Sequence, residues 1–122
     1  MKDFLKTEVG NAKRELLIQD ITKKEVKLKD GKKSDKIVFH TIEEGTDREF
    51  EISDSYVETT DGDTKIAGLW FSQNQGKINQ SSALAKVLNY YNADSLLDLL
   101  DETIIAYPDK NNYLVLTACP IE

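Results

Sequence analysis

Apolar positions along this chain follow two periods, and the change between them marks the elements. From Arg14 to Leu28, Leu16 and Ile18 alternate with polar neighbours, Ile21 breaks the phase, and Val26 and Leu28 resume it. One long strand with a bulge or bend is predicted. Residues 29–35 (KDGKKSD) hold Asp30-Gly31 and predict a turn. Ile37 to Ile42 is rich in β-branched and aromatic residues and predicts a second strand. After a turn at Glu44-Gly45-Thr46-Asp47, residues Arg48 to Ser53 alternate, with Phe50 and Ile52 opposed to Glu49 and Glu51. Residues 56–59 and 64–71 flank Thr60-Asp61-Gly62-Asp63, which predicts either an extended third strand or an added hairpin. Beyond the polar loop 72–80, Leu84, Val87, Leu88 and Tyr91 recur at i, i+3, i+4 and i+7, the spacing of one helical face. Ser81 or Ser82 can cap that helix and Asn92 can end it. Asp94 can cap a short second helix with Leu96, Leu97 and Leu100 on one side. Thr103 to Tyr107 and Tyr113 to Ala118 read as two closing strands around a loop at 108–112.

The predicted class is α+β, mainly β, in a single domain over residues 1–122. Residues 1–12 form a lead-in, helical or extended, anchored by Phe4, Leu5 and Val9. Three strands, a helix, then a terminal hairpin is the order of a small OB-type antiparallel barrel with a helix between strands three and four. A long bent first strand fits such a barrel, because it serves both halves of the closed sheet.

Over about residues 13–118 the chain resembles the OB-fold single-stranded nucleic-acid-binding proteins of phage, archaeal and replication-protein-A type. The likeness rests on EVKLKDGKKSDKIVF, SSALAKVLNYY and LLDLLDETIIAY. Where similar proteins often have a Leu-Ile-Gly-Lys step, this chain has Leu100-Asp101-Glu102, without the glycine or the positive charge. The resemblance implies non-catalytic binding of single-stranded DNA or RNA.

Charge sharpens this picture. Residues 1–36 hold eleven Lys/Arg and seven Asp/Glu, whereas the remainder holds five and fifteen, within a chain of net charge −6. The excess sits in Lys23, Lys24, Lys27, Lys29, Lys32, Lys33 and Lys36, around the Asp30-Gly31 turn. Lysines clustered on an acidic chain suggest a local anion site, against the simpler role of keeping a turn solvated. The candidate phosphate contacts are Lys27, Lys29, Lys32, Lys33 and Lys36, and the candidate stacking surfaces are Phe39, Trp70, Tyr107 and Tyr113. Parity turns Trp70 outward, because Ala67, Leu69 and Phe71 form the more apolar set, against the alternative that its ring packs under the helix at 81–92. Tyr113 turns outward by the same parity, opposite Leu114, Leu116 and Ala118, whereas the parity of Tyr107 is ambiguous and Phe39 suits core or surface. Glu43, Glu44, Asp47, Glu49 and Glu51 form a negative stripe that phosphates would avoid. The alternative to nucleic-acid binding is a protein-interaction module using an acidic face or a sheet edge.

Enzymatic readings are thin. His40 is the only histidine, which excludes a multi-histidine metal centre. Cys119 is the only cysteine, so no intramolecular disulfide forms, and it reads as a small apolar residue near a strand end. Cys119 and His40 would be the sole conventional nucleophile–base pair, and their spacing gives no adjacency. There is no glycine-rich phosphate loop and no GxSxG elbow. No catalytic residue, metal or cofactor is expected. The first ten residues lack the apolar run of a signal peptide, and no segment approaches the ~20 apolar residues of a membrane span. A cytoplasmic location is the expectation.

Overall fold

A computed structural model describes residues 13–59, 61–71, 73–109, 111 and 113–118. The expected lead-in at residues 1–12 and Cys119 lie outside them. The fold is α+β and mainly β. A long hairpin opens it, β1 (Arg14–Lys27) with β2 (Lys33–Glu43). The phase break read in β1 is a bulge: Ile18 pairs with Thr41, Asp20 with His40, and Gln19 is the extra residue. Ile21 therefore returns to the face that Leu16 and Ile18 bury. At the hairpin tip Gly31 adopts φ +86°, which its lack of a Cβ permits. The turn closes through Leu28 N–H to Lys32 O (2.7 Å) and Lys32 N–H to Asp30 Oδ1 (2.9 Å).

Next come β3 (Arg48–Ile52) and β4 (Asp54–Glu58), separated by Ser53 alone. β4 forms a hairpin with β5 (Thr64–Gly68) across Asp61-Gly62, so the added hairpin, not a longer third strand, is what forms. The stretch 72–80, read as a polar loop, contains a miniature hairpin, β6 (Gln73–Asn74) with β7 (Lys77–Ile78). Gln75 (φ +53°) and Gly76 (φ +79°) turn it, and the absence of apolar alternation hid it. Then follow α1 (Ala83–Tyr90), a 3₁₀ turn at Leu96–Leu99, β8 (Thr103–Pro108) and β9 (Leu114–Thr117).

The main sheet runs β3-β2-β1-β8-β9-β4-β5. Its pairings are antiparallel except β4 with β9, which is parallel because the chain crosses over through α1 and β8 between them. As a ladder the sheet is open, with β3 and β5 at its edges, so the expected closed barrel is not shown by strand pairing. Beyond β5, however, Ile37 N–H donates to Leu69 O (2.8 Å) and Phe71 N–H donates to Asp35 O (2.8 Å). These bonds flank an isolated bridge between Trp70 and Lys36.

One apolar cluster joins the strands and the helix. It includes Leu16, Ile18, Ile37, Phe39, Ile52, Leu69, Leu84, Val87 and Leu116. Helix α1 starts where Ser82 Oγ accepts from Ala85 N–H at 3.1 Å, an N-cap. It ends with Asn92 at φ +57°, Asn92 N–H on Asn89 O (3.2 Å) and Ala93 N–H on Leu88 O (2.8 Å). That pair of bonds is a Schellman closure, with Asn92 in the left-handed position and Ala93 and Leu88 both buried. Leu84, Val87 and Leu88 are buried as their spacing predicts. The second short helix departs from expectation. A 3₁₀ turn repeats every three residues, so Leu96 and Leu99 share the inner side, Leu99 is buried and Leu97 is exposed. Asp94 does not cap it by its side chain. Instead Asp98 Oδ2 accepts from Asp94 N–H at 3.0 Å.

Tyr91 follows α1, and its hydroxyl accepts from Ile105 N–H at 3.2 Å. Burial pushes this phenol from the usual 10 up to about 12, opposed by its hydrogen bond to the Ile105 backbone. Desolvation, with Asp109 nearby, also raises Tyr56. A raised folded-state pKa means the unfolded chain ionises first. Stability is therefore fully present below pH 10 and is lost as pH rises toward about 12. Urea denaturation from pH 9 upward is expected to show this decline, and Tyr91→Phe is expected to remove much of the slope. An unchanged slope in that variant would place the titrating group elsewhere.

Candidate functional site

The β1–β2 register sorts the lysine hairpin into two faces. Lys23 pairs with Ile37 and Ile21 with Phe39, so odd-numbered positions here point to the core side. Lys27 and Lys33 are directly opposed on that side. Lys24 and Lys36 are directly opposed on the outer side. Like charges facing each other across a ladder are destabilising unless offset. Two of these lysines are offset by acids: Lys33 Nζ lies 3.3 Å from Glu25 Oε1, and Lys36 Nζ lies 2.9 Å from Asp54 Oδ1. Lys23 is similarly matched by Asp35 at 3.6 Å. Lys24, Lys27, Lys29 and Lys32 are exposed and, among the described residues, form no ion pair.

Trp70 is half-buried and sits opposite Lys36, hence on the outer face as its parity predicts. The Lys36 ammonium lies 5.3 Å from its ring centroid, a cation–π contact. The indole is seated against Gly68: a Cβ there would stand 2.7 Å from Trp70 Nε1 and 3.2 Å from Lys36 Cε. Gly68→Ala is therefore expected to swing the indole off its seat and shift its emission to longer wavelength, with little change in far-UV circular dichroism. An unaltered emission maximum would show that the ring does not depend on this gap.

The outer row continues beyond Trp70. Tyr56 lies opposite Ile66 and beside Thr117, and its hydroxyl donates to Pro108 O at 3.3 Å, which carries the ring across β9. Tyr107, half-buried, lies opposite Val115 on the same side of the sheet. Tyr113 is 72% exposed in the following loop, where Asp109 Oδ1 accepts from Tyr113 N–H (3.0 Å) and Asn111 N–H (2.8 Å). Lys24, Lys36, Trp70, Tyr56 and Tyr107 thus form an outward row that ends near Tyr113.

Phe39 does not belong to this row. It is fully buried, paired between Ile21 and Ile52, and offers no ring face to a ligand. Lys27 and Lys33 are also displaced from it, since the register puts them on the other face of the hairpin. Lys29 and Lys32 stand exposed at the tip, between the two faces. Sequence reasoning missed Lys24 and Tyr56. Tyr56 was within reach of parity, because its neighbour Val57 is apolar and buried. Lys24 needed the bulge at Gln19 to be located first.

Glu49 and Glu51 of the acidic stripe lie farther along the same outer surface, whereas Glu43 pairs with Leu16 on the other side of the sheet. Glu51 pairs with His40 and Glu49 with Ile42, toward the opposite end of β2 from the lysine turn. Glu43 is held below its usual range, first by a hydrogen bond from Arg14 and then by one from Thr46. His40 is engaged by Thr22 Oγ1 at 2.8 Å and Glu51 Oε1 at 3.4 Å. Among the described residues no group of three or more His, Cys, Asp or Glu side chains could hold a metal ion. No helix among them is long and apolar enough to cross a membrane. No protein-family model matches this chain, and neither a curated protein nor a solved structure does.

Proposed function

We propose that this chain binds single-stranded DNA or RNA, without catalysis, along the outer row from the lysine hairpin across Trp70 and Tyr56 to Tyr107 and Tyr113. The observation that carries this reading is the register that gathers Lys24, Lys36, Trp70 and Tyr56 on one outward face. Cations beside aromatic faces are the two elements that sequence-tolerant single-strand binding needs. The charge gradient of β2, basic at the turn and acidic beside β3, favours one end of the face for phosphates.

An OB-type barrel is the architecture proposed with it. Support comes from β3 and β4, which read as one strand bent at Ser53, one half pairing with β2 and the other with β9. The hydrogen bonds of Leu69 and Phe71 to β2 draw the free end of the sheet toward the same place. In this arrangement the tip 28–32 and the turn that carries Asp109, Asn111 and Tyr113 flank the ligand face.

The test is a titration of a labelled oligothymidylate at low and high salt, followed by tryptophan emission. Quenching of Trp70 with a steep loss of affinity in salt is the expected result. Saturating oligonucleotide that leaves the emission untouched would remove Trp70 from any such site. No binding at low salt would refute the function.

A further inference from the structure

On the core side of the hairpin, away from Trp70, lies a second surface. A groove of about 370 Å³ runs between β1 and the 3₁₀ turn. Its walls are Ile21, Phe71, Leu96, Leu97 and Leu100, with Lys23 above the Phe71 ring at 5.3 Å. Leu97 is 72% exposed and the other four apolar side chains are half-buried. A lone exposed leucine means little, but five adjoining apolar side chains open to solvent mark a contact surface.

The charge around this groove says what fits it. Lys23 is matched by Asp35. The β1 side of the groove carries Lys23, whereas Asp98, Asp101 and Glu102 are exposed along the segment that carries its leucines, which makes that side of the rim acidic. Ile18 holds that segment to β1, accepting from Asp101 N–H at 2.9 Å and donating to Glu102 O at 3.0 Å. Phosphates are repelled by such a rim, whereas lysine and arginine are attracted to it. We infer that this groove docks a basic amphipathic segment of a protein partner, with apolar side chains against Leu97 and Phe71 and cations facing the acidic rim. The site is independent of the nucleic-acid reading, and the two ligands would occupy opposite faces of one hairpin.

The probe is a short helical peptide with Leu at i, i+3, i+4 and i+7 and Lys elsewhere, labelled for fluorescence anisotropy with the full chain. Leu97→Ser is expected to weaken its binding about tenfold. The exposure of Leu97 means that variant folds. Asp98→Asn with Glu102→Gln is expected to weaken binding at low salt and to flatten its salt dependence. Ile66→Ser, on the opposite, outer face, is expected to leave peptide binding unchanged. The inference is overturned if a Lys peptide lacking the leucines binds equally well, or if Leu97→Ser leaves peptide affinity intact. It is equally overturned if Leu97→Ser weakens oligonucleotide binding instead, since the groove would then belong to the nucleic-acid face.

Discussion

Phe39→Ala is expected to destabilise the fold by about 3–5 kcal/mol. The ring is fully buried and belongs to the same apolar cluster as Leu16, Ile18, Ile37 and Ile52. It lies opposite Ile21 across one ladder and Ile52 across the other, so its removal opens a cavity that strands on both sides must collapse to fill. Against a typical domain stability of about 5–15 kcal/mol, this is a large share. Urea denaturation measures it directly. The same variant would lose oligonucleotide binding merely by unfolding, so binding must be read on Phe39→Leu. That variant keeps most of the packing and is expected to cost about 1–2 kcal/mol. It should bind like the parent chain under conditions where it is folded. If Phe39→Ala instead unfolds at the parent's urea midpoint and loses binding, the ring faces a ligand and the core placement is wrong.

Local chemistry made much of the fold legible. Asp30-Gly31 and Asp61-Gly62 named their hairpins, because each turn needs a positive φ that its glycine adopts without strain. The slipped phase at Ile21 announced the bulge at Gln19. Ser82 and Asn92 bounded α1 through their capping preferences. What was hidden was non-local. Trp70 lies in a bridge beyond β5, so its neighbour Lys36 is set by tertiary pairing and not by any local pattern. Phe39 and Ile37 share a strand face in sequence, but only the closure of that face by Leu69 and the helix decides that it is core. The lysine run read as one cluster, yet pairing divides it between two faces and ties three members to Asp35, Glu25 and Asp54. Asp101 was hidden too: it adopts φ +66°, a left-handed conformation that nothing in Leu100-Asp101-Glu102 announces.

Stacking and charge contribute separately to the proposed binding, and two sets of substitutions are expected to separate them. Trp70→Ala removes a stacking surface and should weaken oligonucleotide binding by about 1–3 kcal/mol without changing its dependence on salt. Lys24, Lys29 and Lys32 are exposed cations that no acid matches among the described residues. Lys24 lies on the Trp70 face and the other two at the tip beside it. Each phosphate neutralised on a single strand releases about 0.7 counterion, so replacing all three with Ala should reduce the slope of log affinity against log salt by up to about 2. Stability should hardly change, because exposed turn and strand lysines usually contribute under about 0.5 kcal/mol each. Lys33→Ala is the internal comparison. Its charge is already offset by Glu25 on the other face, so the slope should move little. A slope that falls equally for Lys33→Ala and for Lys24→Ala would mean that the strand ignores the faces of the hairpin and senses only its total charge. A slope unchanged in the triple variant, with the protein folded, would leave the lysine turn a solvated connection and remove the phosphate half of the mechanism.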